Sequence, residues 1–199
     1  MKTIDYYFVS TSPWSYLGHE RLGHIAAETG AQIHVKPFDL ARVFPVSGGL
    51  PLPKRAPQRQ AYRLVELRRW ADFLGMPLNE QPRHFPVDHM PSMRLIAAAR
   101  IVAGEQAAFL LASLVMRGCW SEERNVADDV ELDLIMAAAG LDPDELRAAR
   151  EAAEADIDRF TEEAIQLQVF GAPWYRIGDE SFWGQDRLDF VERALREAN

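Results

Sequence analysis

Ile4-Asp5-Tyr6-Tyr7-Phe8-Val9 runs directly into Ser10-Thr11-Ser12-Pro13-Trp14-Ser15-Tyr16-Leu17, and the architecture of the chain follows from how this junction is read. The first half is short, aromatic and β-branched and stops at a polar run, which predicts a buried strand. Pro13 suits the first turn of a helix, where its missing N–H would be unpaired anyway, and Ser12 before it can act as N-cap. Trp14, Leu17, the stem of Arg21, Leu22, Ile25 and Ala26 then recur at helical spacing up to Thr29, and Gly30 can end the helix in the left-handed conformation. Ile33-His34-Val35 resumes an extended pattern. Strand, helix and strand in this order make a βαβ unit with a right-handed crossover.

Outward from this unit the pattern changes. Glycine and proline punctuate Val46 to Pro57 too often for regular structure, which predicts a loop. Helical periodicity follows over Pro57 to Leu74, Pro91 to Ala103 and Glu105 to Arg117, with Gly75, Gly104 and Gly118 as stops. Asp128 with Glu131, and Asp142 with Pro143 and Glu145, resemble capping boxes that start two more helices. Near residue 170 strands return: Pro173 to Ile177 and Ser181 to Trp183 flank Gly178-Asp179-Glu180 as a hairpin. Gly184-Gln185 leads into a last helix with Leu188, Phe190, Val191, Ala194 and Leu195 on its apolar side. The order βαβ, helical block, ββα predicts an α/β fold of thioredoxin type split by an α-helical insertion. Residues 1–55 and 167–199 would form the thioredoxin-like domain and 56–166 the insertion.

Composition narrows the function. With 199 residues and 48% hydrophobic content the chain can bury an ordinary core, and the net charge of −8 comes with no basic stripe, so nucleic acid is excluded as an expected partner. No apolar run of about 18 residues occurs, so no membrane association is expected. A single cysteine, Cys119, cannot form an internal disulfide, which agrees with a reducing compartment and predicts a cytoplasmic protein. His19 and His24 point in different directions on one helix and the other histidines are isolated, so no metal is expected. Ser12 has no G-x-S-x-G setting that would suit a hydrolase.

Ser12 would lie beside unpaired backbone N–H groups at the positive end of a helix dipole, where an anion is stabilised. Taken alone, the residues leave two readings open: a simple N-cap, or a hydroxyl that holds a bound thiol as its thiolate. Trp14, Phe44, Phe85 and Trp183 likewise read either as core or as the lining of an aromatic pocket.

Ser12-Pro13-Trp14-Ser15 resembles the C-x-x-C redox signature of DsbA-type disulfide oxidoreductases with serine in both cysteine positions, and serine cannot cycle through a disulfide. Ser12 to Leu17 is similar to the S-P-[FYW]-S-Y-L segment of the 2-hydroxychromene-2-carboxylate isomerases and the related kappa-class glutathione transferases, and the similarity spans nearly the whole chain. The resemblance implies a DsbA-like fold, glutathione as cofactor, a small aromatic substrate and, as is common among relatives, a homodimer. It assigns Ser12 to the glutathione sulfur. Ala172-Pro173 would be the cis-proline pair that offers its backbone to the cysteinyl part. Gln185, Asp186 and Arg187, in a G-x-D-R segment, would hold the γ-glutamyl end, with Asp186 on the ammonium. Gly49 stands where relatives carry a glutathione-contacting asparagine, and Lys54 and Arg59 near a cation that meets a carboxylate; with Trp14, if it lines the pocket, they are the candidate substrate-binding residues. The implied chemistry is isomerisation of 2-hydroxychromene-2-carboxylate, or of a similar intermediate of aromatic degradation, by reversible thiolate addition. Glutathione transfer to an electrophile, and a non-catalytic module that binds through the cis-proline surface, are the alternatives.

Overall fold

A computed structural model describes residues 2–197. Its centre is a four-stranded mixed sheet in the order β2-β1-β3-β4. Strands β1 (Thr3–Phe8) and β2 (Gln32–Pro37) run parallel, with Tyr6 opposite Val35, and are joined by α1 (Pro13–Thr29). Tyr6, Tyr7 and Phe8 are fully buried, as the unbroken aromatic run requires of a strand covered on both faces. Gly30 ends α1 at φ 67°, a backbone that favours glycine. Strand β3 (Trp174–Ile177) lies antiparallel to β1, and β4 (Glu180–Trp183) returns from it around a turn at Gly178 and Asp179.

Between β2 and β3 the chain is helical. It forms α2 (Leu40–Ser47), α3 (Pro57–Leu74), α4 (Met90–Ala103), α5 (Glu105–Trp120), α6 (Asp129–Ala138), α7 (Pro143–Ala148) and α8 (Arg150–Gln166). Ala97, Ala98 and Ala99 are buried on α4, and their small side chains let α5 and α8 approach it closely while α4, α5 and α8 also reach β2. Asp128 and Asp142 cap α6 and α7 by accepting backbone N–H groups, as their spacing predicts. After a one-turn 3₁₀ segment (Gln185–Arg187), α9 (Leu188–Glu197) packs on α1, β3 and β4.

Some expectations need correction. The loop expected from Val46 begins two residues later, because Val46 and Ser47 finish α2, which is capped by Asp39 and ended by Gly48 at φ 76°; Leu52–Lys54 then forms a 3₁₀ turn. Gly118 does not stop α5, which runs on to Trp120. The glycine is buried, and a β-carbon there would stand 3.3 Å from Ile135, so it serves helix packing and not termination. Phe190 is 49% exposed, off the buried face formed by Leu188, Val191 and Leu195.

Candidate active site

Ser12 has extended backbone (φ −82°, ψ 120°) and caps α1, its Oγ accepting the Ser15 N–H at 3.2 Å. The capping function is therefore present. The same hydroxyl donates toward the carbonyl of Ala172 at 3.4 Å, at the long end of hydrogen-bond geometry, so its proton is weakly held. Residues 160 apart in sequence thus meet at the N-terminus of α1. The Ala172–Pro173 bond is cis. Together they place a half-buried hydroxyl, a helix dipole and the bend that leads into β3 side by side.

The 3₁₀ segment before α9 is tied to the same loop. Gly184 (φ 97°) donates its N–H to the Pro173 carbonyl at 3.0 Å and accepts from Arg187 N–H at 3.1 Å. This backbone requires a glycine, and a β-carbon on Gly184 would also stand 2.5 Å from the Asp186 carboxylate. Asp186 pairs with Arg187 at 2.8 Å at the surface. Gln185 is 2% exposed and its side-chain oxygen finds no hydrogen-bond partner among the described residues. Gly18 on α1 makes this approach possible, since a β-carbon there would lie 2.8 Å from that of Gln185 and 2.9 Å from the Tyr175 hydroxyl.

A cleft of about 570 Å³ opens over this junction. Of the residues singled out in the sequence, Trp14, Arg59, Ala172, Gln185, Asp186 and Arg187 line it. Ser12 and Pro173 do not line it; Ser12 is joined to its wall through the Ala172 carbonyl. Lys54 and Gly49 are not on its wall. Lys54 is exposed on the 3₁₀ turn, and the wall position belongs to its neighbour Arg55. A β-carbon on Gly49 would fall on the ring of Phe44, well inside contact distance, so the absent side chain has a packing cause. Phe85 packs, partly buried, against core Trp120 with ring centres 4.8 Å apart, Trp14 and Trp183 line the cleft, and Phe44 covers Gly49 and belongs to neither group.

The wall also holds Arg63, Tyr62 and Trp70, which sequence reasoning did not single out. Burial pulls the Arg63 guanidinium down to about 10, with Arg55 nearby as a second cause. Beneath the site, His19 is buried and desolvation lowers it to about 4. Its Nε2 lies 2.9 Å from the Phe109 carbonyl, which can only accept, so Nε2 carries the proton and Nδ1 accepts from the Tyr6 hydroxyl at 3.2 Å. Burial lifts Cys119 to about 12, which leaves it without thiolate character near neutrality.

Fold and site together define a DsbA-like thioredoxin-fold protein with hydroxyls in place of the redox thiols. Residues 3–196 match the DSBA-like thioredoxin domain. The chain is 32% identical over 197 residues to the 2-hydroxychromene-2-carboxylate isomerase of Pseudomonas putida, covering 96% of this chain and 93% of that protein. It is 27% identical over 208 residues to glutathione S-transferase kappa 1 of Caenorhabditis elegans, covering 98% and 91%. The solved structure of a 2-hydroxychromene-2-carboxylate isomerase superposes with a TM-score of 0.82 at 31% identity, covering 98% of this chain and 94% of that one. This chain belongs to the 2-hydroxychromene-2-carboxylate isomerase family, an isomerase branch of the DsbA-like proteins related to the kappa-class glutathione transferases. Among the described residues, no cluster of three metal-ligating side chains occurs and no helix is long and apolar enough to cross a membrane.

Proposed function

We propose that this protein is a glutathione-dependent isomerase of 2-hydroxychromene-2-carboxylate or of a similar intermediate of aromatic degradation. The observation that carries the reading is the Ser12 hydroxyl, held loosely against Ala172 at the positive end of α1 and beside the cis-Pro173 edge.

The residues present fit glutathione. A tripeptide with one ammonium, two carboxylates and a thiol calls for an anion, cations and an anion-stabilising donor, and the reading is supported by Asp186, Arg55 and Arg59 on the cleft wall and by Ser12 bonded to Ala172 of that wall. The unpaired side-chain oxygen of buried Gln185 adds an acceptor at the end assigned to the γ-glutamyl group. When bound, glutathione supplies a thiolate whose reversible addition to a conjugated carbon gives the substrate a bond about which it can turn. Ser12 would turn its proton from Ala172 to the sulfur and keep it negative, a hydrogen bond to a charged group being worth about 1.5 to 3 kcal/mol. Trp14 and Trp183 would hold an aromatic ring flat against the site. The work of the chain is positioning and charge stabilisation, while the nucleophile is borrowed.

The assay is the absorbance of a 2-hydroxychromene-2-carboxylate solution with enzyme, with and without glutathione. Conversion to trans-o-hydroxybenzylidenepyruvate only when glutathione is present, with glutathione recovered unchanged, is expected. A stable thioether product would make the protein a transferase, and conversion at the same rate without glutathione would remove the cofactor from the scheme.

A further inference from the structure

Arg55, Arg59 and Arg63 follow one another at intervals of four residues, the last two on successive turns of α3, and all three line the cleft. Four arginines line this wall against two carboxylates, of which Glu66 is paired with Arg69 off the wall at 2.7 Å and Asp186 with Arg187 on it. The cleft therefore carries an excess of guanidinium charge.

The three arginines are not equivalent. Arg59 is exposed and keeps its water, and Arg55 donates Nε to the Leu50 carbonyl at 2.8 Å. Arg63 is half-buried, and one of its nitrogens has neither kind of partner. Its Nη2 is buried with no hydrogen-bond acceptor among the described residues, and its guanidinium lies 5.4 Å from the ring centre of Phe85 and 5.6 Å from that of Trp120. A partly desolvated cation without a counterion is costly, and the aromatic faces offset only part of that cost. Water already removed need not be removed again when a ligand arrives, so the group is organised in advance for a planar anion. The surrounding wall, with Trp14, Tyr62, Trp70 and Trp183, is aromatic.

We infer that Arg63 is the anchor for the carboxylate of the aromatic substrate and that it sets the preference of the cleft for anionic over neutral aromatic compounds. The inference rests on the proposed function in taking this cleft as the place where the aromatic substrate binds. It moves the substrate carboxylate from Lys54 or Arg59, expected from sequence, to a deeper residue. Arg55 and Arg59 are left for the cofactor.

The test is calorimetric titration of the full chain with trans-cinnamate and with trans-cinnamamide, its neutral counterpart, in the absence of glutathione. Wild type should prefer cinnamate by about tenfold or more, the scale of one charge-assisted hydrogen bond. Arg63→Met, which keeps the stem against Phe85 and Trp120, should abolish that preference, and Arg63→Lys should restore part of it. If Arg63→Met does not fold, Arg63→Gln is read in the same way. Equal binding of the two probes by wild type, no binding of cinnamate, or a preference that survives in Arg63→Met or Arg63→Gln would overturn the inference. Because no turnover is measured, a chain inactive toward 2-hydroxychromene-2-carboxylate whose cinnamate preference depends on Arg63 would sink the proposed reaction and leave the anion site standing.

Discussion

Ser12 has two tasks that are separable in free energy. As N-cap it accepts one backbone N–H, and replacing such a residue by alanine costs about 1 kcal/mol, or about 2 to 4 °C in melting temperature for a chain of this size. As donor to a charged sulfur it would contribute more, and only in the bound state. Ser12→Ala is therefore expected to lower kcat by about 10- to 100-fold while the melting temperature moves by only those few degrees, measured by steady-state turnover and thermal unfolding of the same preparations. Parallel losses would mean that Ser12 is a cap and nothing else. The cap was legible in the sequence because capping is local: Ser12, Pro13 and the helix are neighbours in the chain. Arg63 was not, because on a helix surface it reads as a solvated charge. Its desolvation comes from Phe85 and Trp120, residues whose approach is set by the tertiary packing of other segments.

Among the elements, the contact between α1 and the 3₁₀ segment brings the two halves of the site together. Gly18 sits where that contact is tightest. Gly18→Ala is expected to destabilise the fold by about 1 to 3 kcal/mol through overpacking against Gln185 and Tyr175 and to weaken glutathione binding further by displacing Asp186. Denaturant unfolding and a glutathione titration of the variant check both effects, and unchanged affinity in a destabilised variant would mean that Asp186 does not contact the ligand. The elements themselves were largely readable, since β1, α1 and the β3-β4 hairpin carry strong periodicity, a proline and well-placed glycines. What escaped was α2, eight residues long with Pro45 inside it, and the continuation of α5 through Gly118. A glycine that serves packing looks the same in sequence as one that ends a helix.

For the whole molecule, buried His19 links stability to pH. It lies near 4 when folded and near its ordinary 6.5 when unfolded, so the unfolded chain binds the extra proton between those values. The contribution is fully present above pH 6.5 and is lost as the pH falls toward 4, at most about 3 kcal/mol in all. His19→Gln, with an amide able to donate to the Phe109 carbonyl, should flatten this part of the stability profile in denaturant titrations. An unchanged slope would place the titrating group elsewhere. The mixed sheet with its helical block was predictable as an order of elements, whereas the cleft between α3 and the cis-proline loop joins segments more than 100 residues apart and has no signature in sequence beyond its separate motifs.

The account stands on a serine hydroxyl that keeps a bound glutathione sulfur ionised. An ultraviolet difference titration of the thiolate in the enzyme–glutathione complex reads this directly. A free thiol ionises near pKa ~8.5. The bound one is expected to ionise about one to two units lower in the wild type, and the shift should shrink by most of that amount in Ser12→Ala. A bound thiol that titrates like the free one, or an equal shift in both proteins, would contradict the account.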